Sequence, residues 1–169
     1  MTKIQHIVFD VGQVLLHWNP ELVYLDRITD AESRRGFLTS VCSPQWNIEQ
    51  DRGRDWAEAE ALLIDQHPEH EDNIRAFRSD WIKSVPYAYQ DVVDLYQQLM
   101  DAGYDVTLLT NFNQHTFLEA KAKYPFLGKA RSETVSGLVQ MIKPDAEIYQ
   151  HHTHTHDLER EQTLFIDDS

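Results

Sequence analysis

The stretch HIVFDVGQVLLHW, residues 6–18, is an almost unbroken apolar run that holds a single carboxylate, Asp10. It is shorter than the ~20 apolar residues of a membrane helix, so it belongs in a protein interior. An ionised carboxylate buried without partners is costly enough that it takes up a proton instead. The run therefore promises a partner for Asp10, or a task for it.

Further apolar segments set the architecture. KIQHIVF (3–9), DVTLLT (105–110) and TLFID (163–167) read as buried strands, and ETVSG (133–137) as a weaker one. Helical patterns lie between them. YQDVVDLYQQLMDAG puts Val92, Leu95, Tyr96 and Leu99 on one face and stops at Gly103. NQHTFLEAKAKY and DAEIYQHHTHTH are further helices. Strands alternating with helices predict an α/β fold with a Rossmann-like parallel sheet. Residues 18–86 differ, because they hold no strand-like run. PELVYLDRI, DAESRRGFLTSV, DWAEAEALLIDQH and PEHEDNIRAFRSDWIKSV each read as helical, with Pro20, Asp30, Asp55 and Pro68 as start signals and Pro86 as the exit. The expected organisation is a core of 1–17 and 87–169 with a helical insert over 18–86.

Composition narrows the function. The formal charge of -13 disfavours nucleic acid and anionic membrane as partners, since both reward a basic surface. An anionic small substrate stays open, because a bound cation and one lysine can reverse the local potential. The N-terminus lacks the pattern of a signal peptide, and the lone cysteine, Cys42, has no internal disulfide partner, so a cytoplasmic protein is expected. Cys42 has no activating base in the pattern and reads as a small buried residue. His151, His152, His154 and His156 are spaced around a helix rather than into one tetrahedral metal site.

Three polar clusters join Asp10. LLTNFN ends the second strand with Thr110 and Asn111, MIKPDAEIY sets Lys143 before Pro144 at a helix entrance, and LFIDDS ends the last strand with Asp167 and Asp168. Each alone has a plain structural reading as a turn residue or a helix start. Together, three of them at the carboxyl ends of parallel strands, they converge on the crevice where such sheets bind ligands.

In this order the pieces FDVGQVL, LLTNFN, IKPDAEIY and LFIDDS resemble the motifs of the haloacid dehalogenase superfamily, over essentially the whole chain. The opening is most similar to F-D-x-G-x-V members that resemble small sugar-phosphate phosphatases, and residues 18–86 match the helical cap that many members carry. The resemblance implies a Mg2+-dependent phosphohydrolase acting on a small phosphorylated metabolite. Asp10 would be the nucleophile, forming an aspartyl-phosphate that water then hydrolyses. Asp10, the Gly12 carbonyl and Asp168 would hold Mg2+, with Asp167 close by or acting through water. Thr110 would donate to a phosphoryl oxygen, helped by backbone N–H groups around Asn111. Lys143 would balance the carboxylates.

Two departures from the pattern matter. Many such phosphatases carry an acid-base Asp two residues after the nucleophile, and here that position is Gly12. General acid-base help is worth roughly 10²–10⁴ in rate, so a donor from elsewhere is expected. The segment WNIEQDRG (46–53) is the candidate source, with Glu49 or Asp51 reaching in when the cap closes, Arg52 beside them and Trp46 lining the pocket. Gly12 also keeps open a metal-free 2-haloacid dehalogenase with the same nucleophile, and a catalytically weak member that binds a ligand or partner. Against the dehalogenase, Asp167 and Asp168 would repel each other without a cation. The second departure is the ending at Ser169, directly after the acidic pair, where relatives continue with a helix and a further strand. A truncated form is expected, with impaired metal binding and lower stability.

Overall fold

The computed structural model describes residues 3–168, and the ending read at Ser169 lies outside them. Four strands, β1 (His6–Phe9), β2 (Asp105–Thr110), β3 (Ser132–Val135) and β4 (Thr163–Ile166), form one sheet in the order β3-β2-β1-β4, with every pair parallel. The strands read from the sequence are all present, the first starting three residues later than read and the others within two residues of their ends. Parallel strands must be covered on both faces. Alternation along β1 and β2 does this, because successive side chains point to opposite faces. Ile7, Phe9, Val106 and Leu108 join one cluster, and Val8 and Leu109 join another.

The first face is covered by α5 (Gln90–Asp101) and α6 (Gln114–Lys123). Phe9 meets the Tyr96 ring edge-on at 5.4 Å, a geometry in which the positive ring edge approaches the negative face. The second face is covered by α8 (Ala146–Thr155) through Ile148, with Leu158 beyond it. Of the stripe expected on α5, Tyr96 is buried and Val92 and Leu99 pack against the same cluster, whereas Leu95 is 46% exposed and Val93 is buried instead.

Between β1 and β2 no strand forms. Helices α1 (Ala31–Ser40), α2 (Pro44–Asp51), α3 (Trp56–Gln66) and α4 (Glu71–Ser79) fill this interval. The carboxylates of Asp30 and Asp55 cap α1 and α3 by accepting from Ser33 N–H and Glu58 N–H, which satisfies otherwise unpaired amides. These helices gather Tyr24, Phe37, Trp56, Ile74 and Phe77 into a cluster of their own, distinct from the two against the sheet.

Two local expectations are revised. PELVYLDRI makes only one 3-10 turn, Pro20–Val23, because the N–H groups of both Arg27 and Ile28 turn back onto the Tyr24 carbonyl. Conversely, α2 is a helix where no helical pattern was read. It starts from a Ser43 cap and Pro44, but eight residues with a weak apolar stripe give no clear period. A short α7 (Ser136–Val139) follows β3 at once. No helix among the described residues is long and apolar enough to cross a membrane.

Candidate active site

The chain leaves β2 for β3 on one side of β1 and returns as β4 on the other. A crevice therefore opens at the carboxyl ends of these strands, where the order reverses. Asp10 sits there, one residue past β1, 6% exposed, its N–H extending the ladder to Ile166 O at 2.9 Å. Its Oδ1 accepts from Val11 N–H at 2.7 Å, and its Oδ2 lies 2.8 Å from Lys143 Nζ. Lys143 Nζ also reaches Asp167 Oδ2 at 2.6 Å, so one ammonium bridges two carboxylates. Burial pushes the Asp10 carboxyl above the usual range, while Lys143 and the Val11 N–H oppose that push. Burial also works against the Lys143 ammonium, but Asp10 and Asp167 outweigh it and hold the lysine above its ordinary value. The partner promised for Asp10 by the opening run is Lys143.

The loop carrying Lys143 is braced by Asn111. The Asn111 side chain accepts from Lys143 N–H at 2.8 Å and donates to Lys143 O at 3.0 Å. The Asn111 side chain thus holds the lysine's loop, and Asn111, whose surrounding backbone N–H groups were expected to help at the substrate, lines the cavity. Thr110, at the end of β2, is 1% exposed, and its hydroxyl has no hydrogen-bond partner among the described residues. An unmet buried hydroxyl costs roughly 1–3 kcal/mol.

Carboxylate oxygens of Asp10, Asp167 and Asp168 all lie within 4.8 Å of one another, with Asp168 exposed at the rim. An all-oxygen set of few protein ligands that leaves room for water suits Mg2+. Gly12 lines the same cavity, and a Cβ built on it meets nothing within 4 Å.

The cavity is about 540 Å³. Its outer wall comes from the helical insert and its flanks: Trp18, Asn47, Asp51, Trp56, Trp81 and Val85. Of the four residues singled out in WNIEQDRG, only Asp51 lines it. Trp46 turns away into the insert's core, 5.2 Å from the Phe77 ring and 6.0 Å from the Trp56 ring. Glu49 and Arg52 face each other weakly at 4.0 Å, and Arg52 reaches Asp145 at 3.7 Å. Asp51 accepts from Asn47 Nδ2 at 3.1 Å, and burial pushes its carboxyl up to about 7 against hydrogen bonds from the Asn113 N–H and Asn47. Trp18, Trp56 and Trp81 carried no signal that could have placed them here, since a tryptophan in an apolar run or a helical pattern reads as core.

Outside the cavity the remaining candidates are structural. Cys42 is buried, and burial pushes its thiol up to about 12, which leaves no thiolate for attack. His152 is buried between Thr107 and Thr134, its ring nitrogens 2.9 and 2.8 Å from their hydroxyls.

No protein-family model matches this sequence, and a search among curated proteins finds no match. Solved structures do match. A HAD (haloacid dehalogenase) family enzyme from Bacteroides thetaiotaomicron in its magnesium complex superposes with a TM-score of 0.76 at 21% identity, covering 99% of this chain and 85% of that one. The same enzyme is also known with magnesium and inorganic phosphate. A HAD-like family hydrolase from Porphyromonas gingivalis gives 0.74 at 20% identity, over 99% and 83% of the two chains. An L-2-haloacid dehalogenase from Xanthobacter autotrophicus with chloropropionic acid covalently bound gives 0.61 at 15% identity, over 96% and 69%. The fold of this chain is the α/β fold of HAD-family hydrolases.

Proposed function

We propose that this protein is a Mg2+-dependent phosphohydrolase of a small phosphorylated metabolite, with residues 18–86 serving as the cap over the site and sugar phosphates among the candidate substrates. One observation carries this reading. Three carboxylates crowd within 4.8 Å, and the Lys143 ammonium reaches two of them. Like charges this close need a cation. The neighbours that hold magnesium and phosphate in the same fold support the same chemistry.

In this reading Asp10 attacks phosphorus and later releases phosphate to water. Val11 N–H, held on Oδ1, and Lys143, on Oδ2, fix the carboxylate's orientation. The Thr110 hydroxyl donates to a phosphoryl oxygen, which meets its missing hydrogen bond. Asp10, Asp167 and Asp168, with the Gly12 carbonyl, would hold Mg2+, and the ion would supply charge neutralisation for the phosphoryl group. Most of the rate then comes from positioning and charge compensation.

Two-haloacid dehalogenation is the second reading, favoured by Gly12 and by the dehalogenase among the fold neighbours. Hydrolysis of p-nitrophenyl phosphate with Mg2+, in wild type and Asp10→Asn, tests the first. The expected result is turnover that requires Mg2+ and disappears in Asp10→Asn. Halide release from 2-chloropropionate in the presence of chelator, with no phosphate release, would overturn it.

A further inference from the structure

We propose that Asp51, delivered by α2 of the helical insert, moves the proton that Gly12 cannot. It protonates the leaving oxygen in the first half of the reaction and deprotonates water in the second. The proposal rests on the phosphohydrolase reading. As an Asp10 oxygen bonds to phosphorus, the bond from phosphorus to the substrate oxygen breaks with its electron pair, and that oxygen takes the Asp51 proton. Water then attacks the aspartyl-phosphate and gives its proton to the Asp51 carboxylate. The bond from phosphorus to Asp10 breaks, and the nucleophile is restored with one alcohol and one phosphate released.

Position is the main support. Asp51 and Asp10 line one cavity, and the helix end bearing Asp51 is fastened to the core. Asn113 Nδ2 donates to Gln50 O at 2.9 Å, and Ser136 Oγ donates to Asp51 O at 2.5 Å. Gly53, just beyond, lies so near Gly137 that a Cβ there would come within 2.7 Å of its carbonyl oxygen. Asp51 therefore lines the site's cavity with this helix end already held against the core. Asn47 and the Asn113 N–H hold its side chain. Its carboxyl, pushed up to about 7 by burial, is partly protonated at neutral pH, as an alternating acid and base needs. The other carboxylates at the cavity, Asp10, Asp167 and Asp168, are grouped with Lys143 or at the cation position and are not available for this task.

The test follows the burst and the steady phase, with substrate in excess and Mg2+, on wild type, Asp51→Asn and Asp10→Asn. One substrate is p-nitrophenyl phosphate, whose leaving group departs without a proton, and the others are a panel of primary alkyl phosphates. Asp51→Asn is expected to release about one p-nitrophenolate per protein in a burst and then to turn over roughly 10²–10⁴-fold more slowly than wild type. From alkyl phosphates it is expected to release no burst of alcohol. The retained burst also reports a folded site. Loss of the burst with both substrates, or wild-type rates with both, would overturn the role for Asp51. So would a wild type that cleaves the aryl ester but no alkyl phosphate. A wild type inactive on every phosphate, or an active Asp10→Asn, would instead sink the phosphohydrolase reading beneath it.

Discussion

Thr110 is the residue whose hydrogen bonding the proposed phosphoryl ligand would complete. Its backbone completes β2, yet its hydroxyl is buried with nothing to donate to among the described residues. Replacing it by valine keeps the shape and removes the unmet polar group. Thr110→Val is therefore expected to leave the thermal midpoint unchanged or slightly raised. The same change should lower kcat/KM for p-nitrophenyl phosphate by about 10²-fold, the scale of losing one preorganised donor to an oxyanion. Unfolding scans beside steady-state kinetics check this, and a variant that loses stability but keeps its rate would show a structural hydroxyl. Asp10, Asp167 and Asp168 were legible in the sequence as acids at the ends of apolar strand segments, and Lys143 as a lysine at a helix entrance, through their joint order along the chain. The job of Asn111 was not. Whether an amide faces a ligand or a neighbouring backbone depends on a loop 32 residues away, and the amide holds Lys143 in place.

At the scale of elements, the junction between α2 and the β3-α7 turn decides where Asp51 stands. Gly53 adopts φ of 105°, where side chains other than glycine are strained, and packs against the Gly137 backbone. Gly53→Ala must distort one or the other. The expected cost is about 1–3 kcal/mol in urea unfolding, together with a loss of alkyl phosphate turnover as α2 is displaced. A stability within ~0.3 kcal/mol of wild type would mean that the junction yields freely, and with it the reason for Asp51's fixed position. Helices α1 and α3 could be read in advance from the Asp30 and Asp55 start signals, and α5 from its apolar stripe and the stop at Gly103. The eight residues of α2 could not, since their burial against the core comes from Asn113 and Ser136, far along the chain.

For the whole molecule, the layer between the sheet and α8 sets a pH limit on folding. His152 is fully buried with Thr107 and Thr134 as its hydrogen-bond partners, and burial, with His156 and His151 adding to it, lowers its pKa to about 3. Unfolded, the ring titrates at its ordinary value near 6.5. Between these values the unfolded chain binds the extra proton, so stability rises with pH there. The contribution is whole above about 6.5 and is lost as pH falls toward 3, with a slope approaching ~1.4 kcal/mol per pH unit. Urea unfolding from pH 7 to 4 should show this slope in wild type and a flatter one in His152→Leu. Equal slopes would mean that the ring is protonated in the folded protein. The histidine tract was readable as a helix segment; that one of its members would be enclosed by two threonines was not.

Local chemistry was enough to write the strand order's raw material into the chain. Two-sided apolar segments, caps, and acids and a lysine at strand and helix ends all act within a few residues of where they stand. Tertiary structure alone turned Trp46 into core, brought Trp18, Trp56 and Trp81 to one cavity, and chose Asp51 over Glu49 to face it. Those choices depend on how the helical insert docks on the sheet, through contacts between residues as much as 85 positions apart, and no local period encodes such a contact.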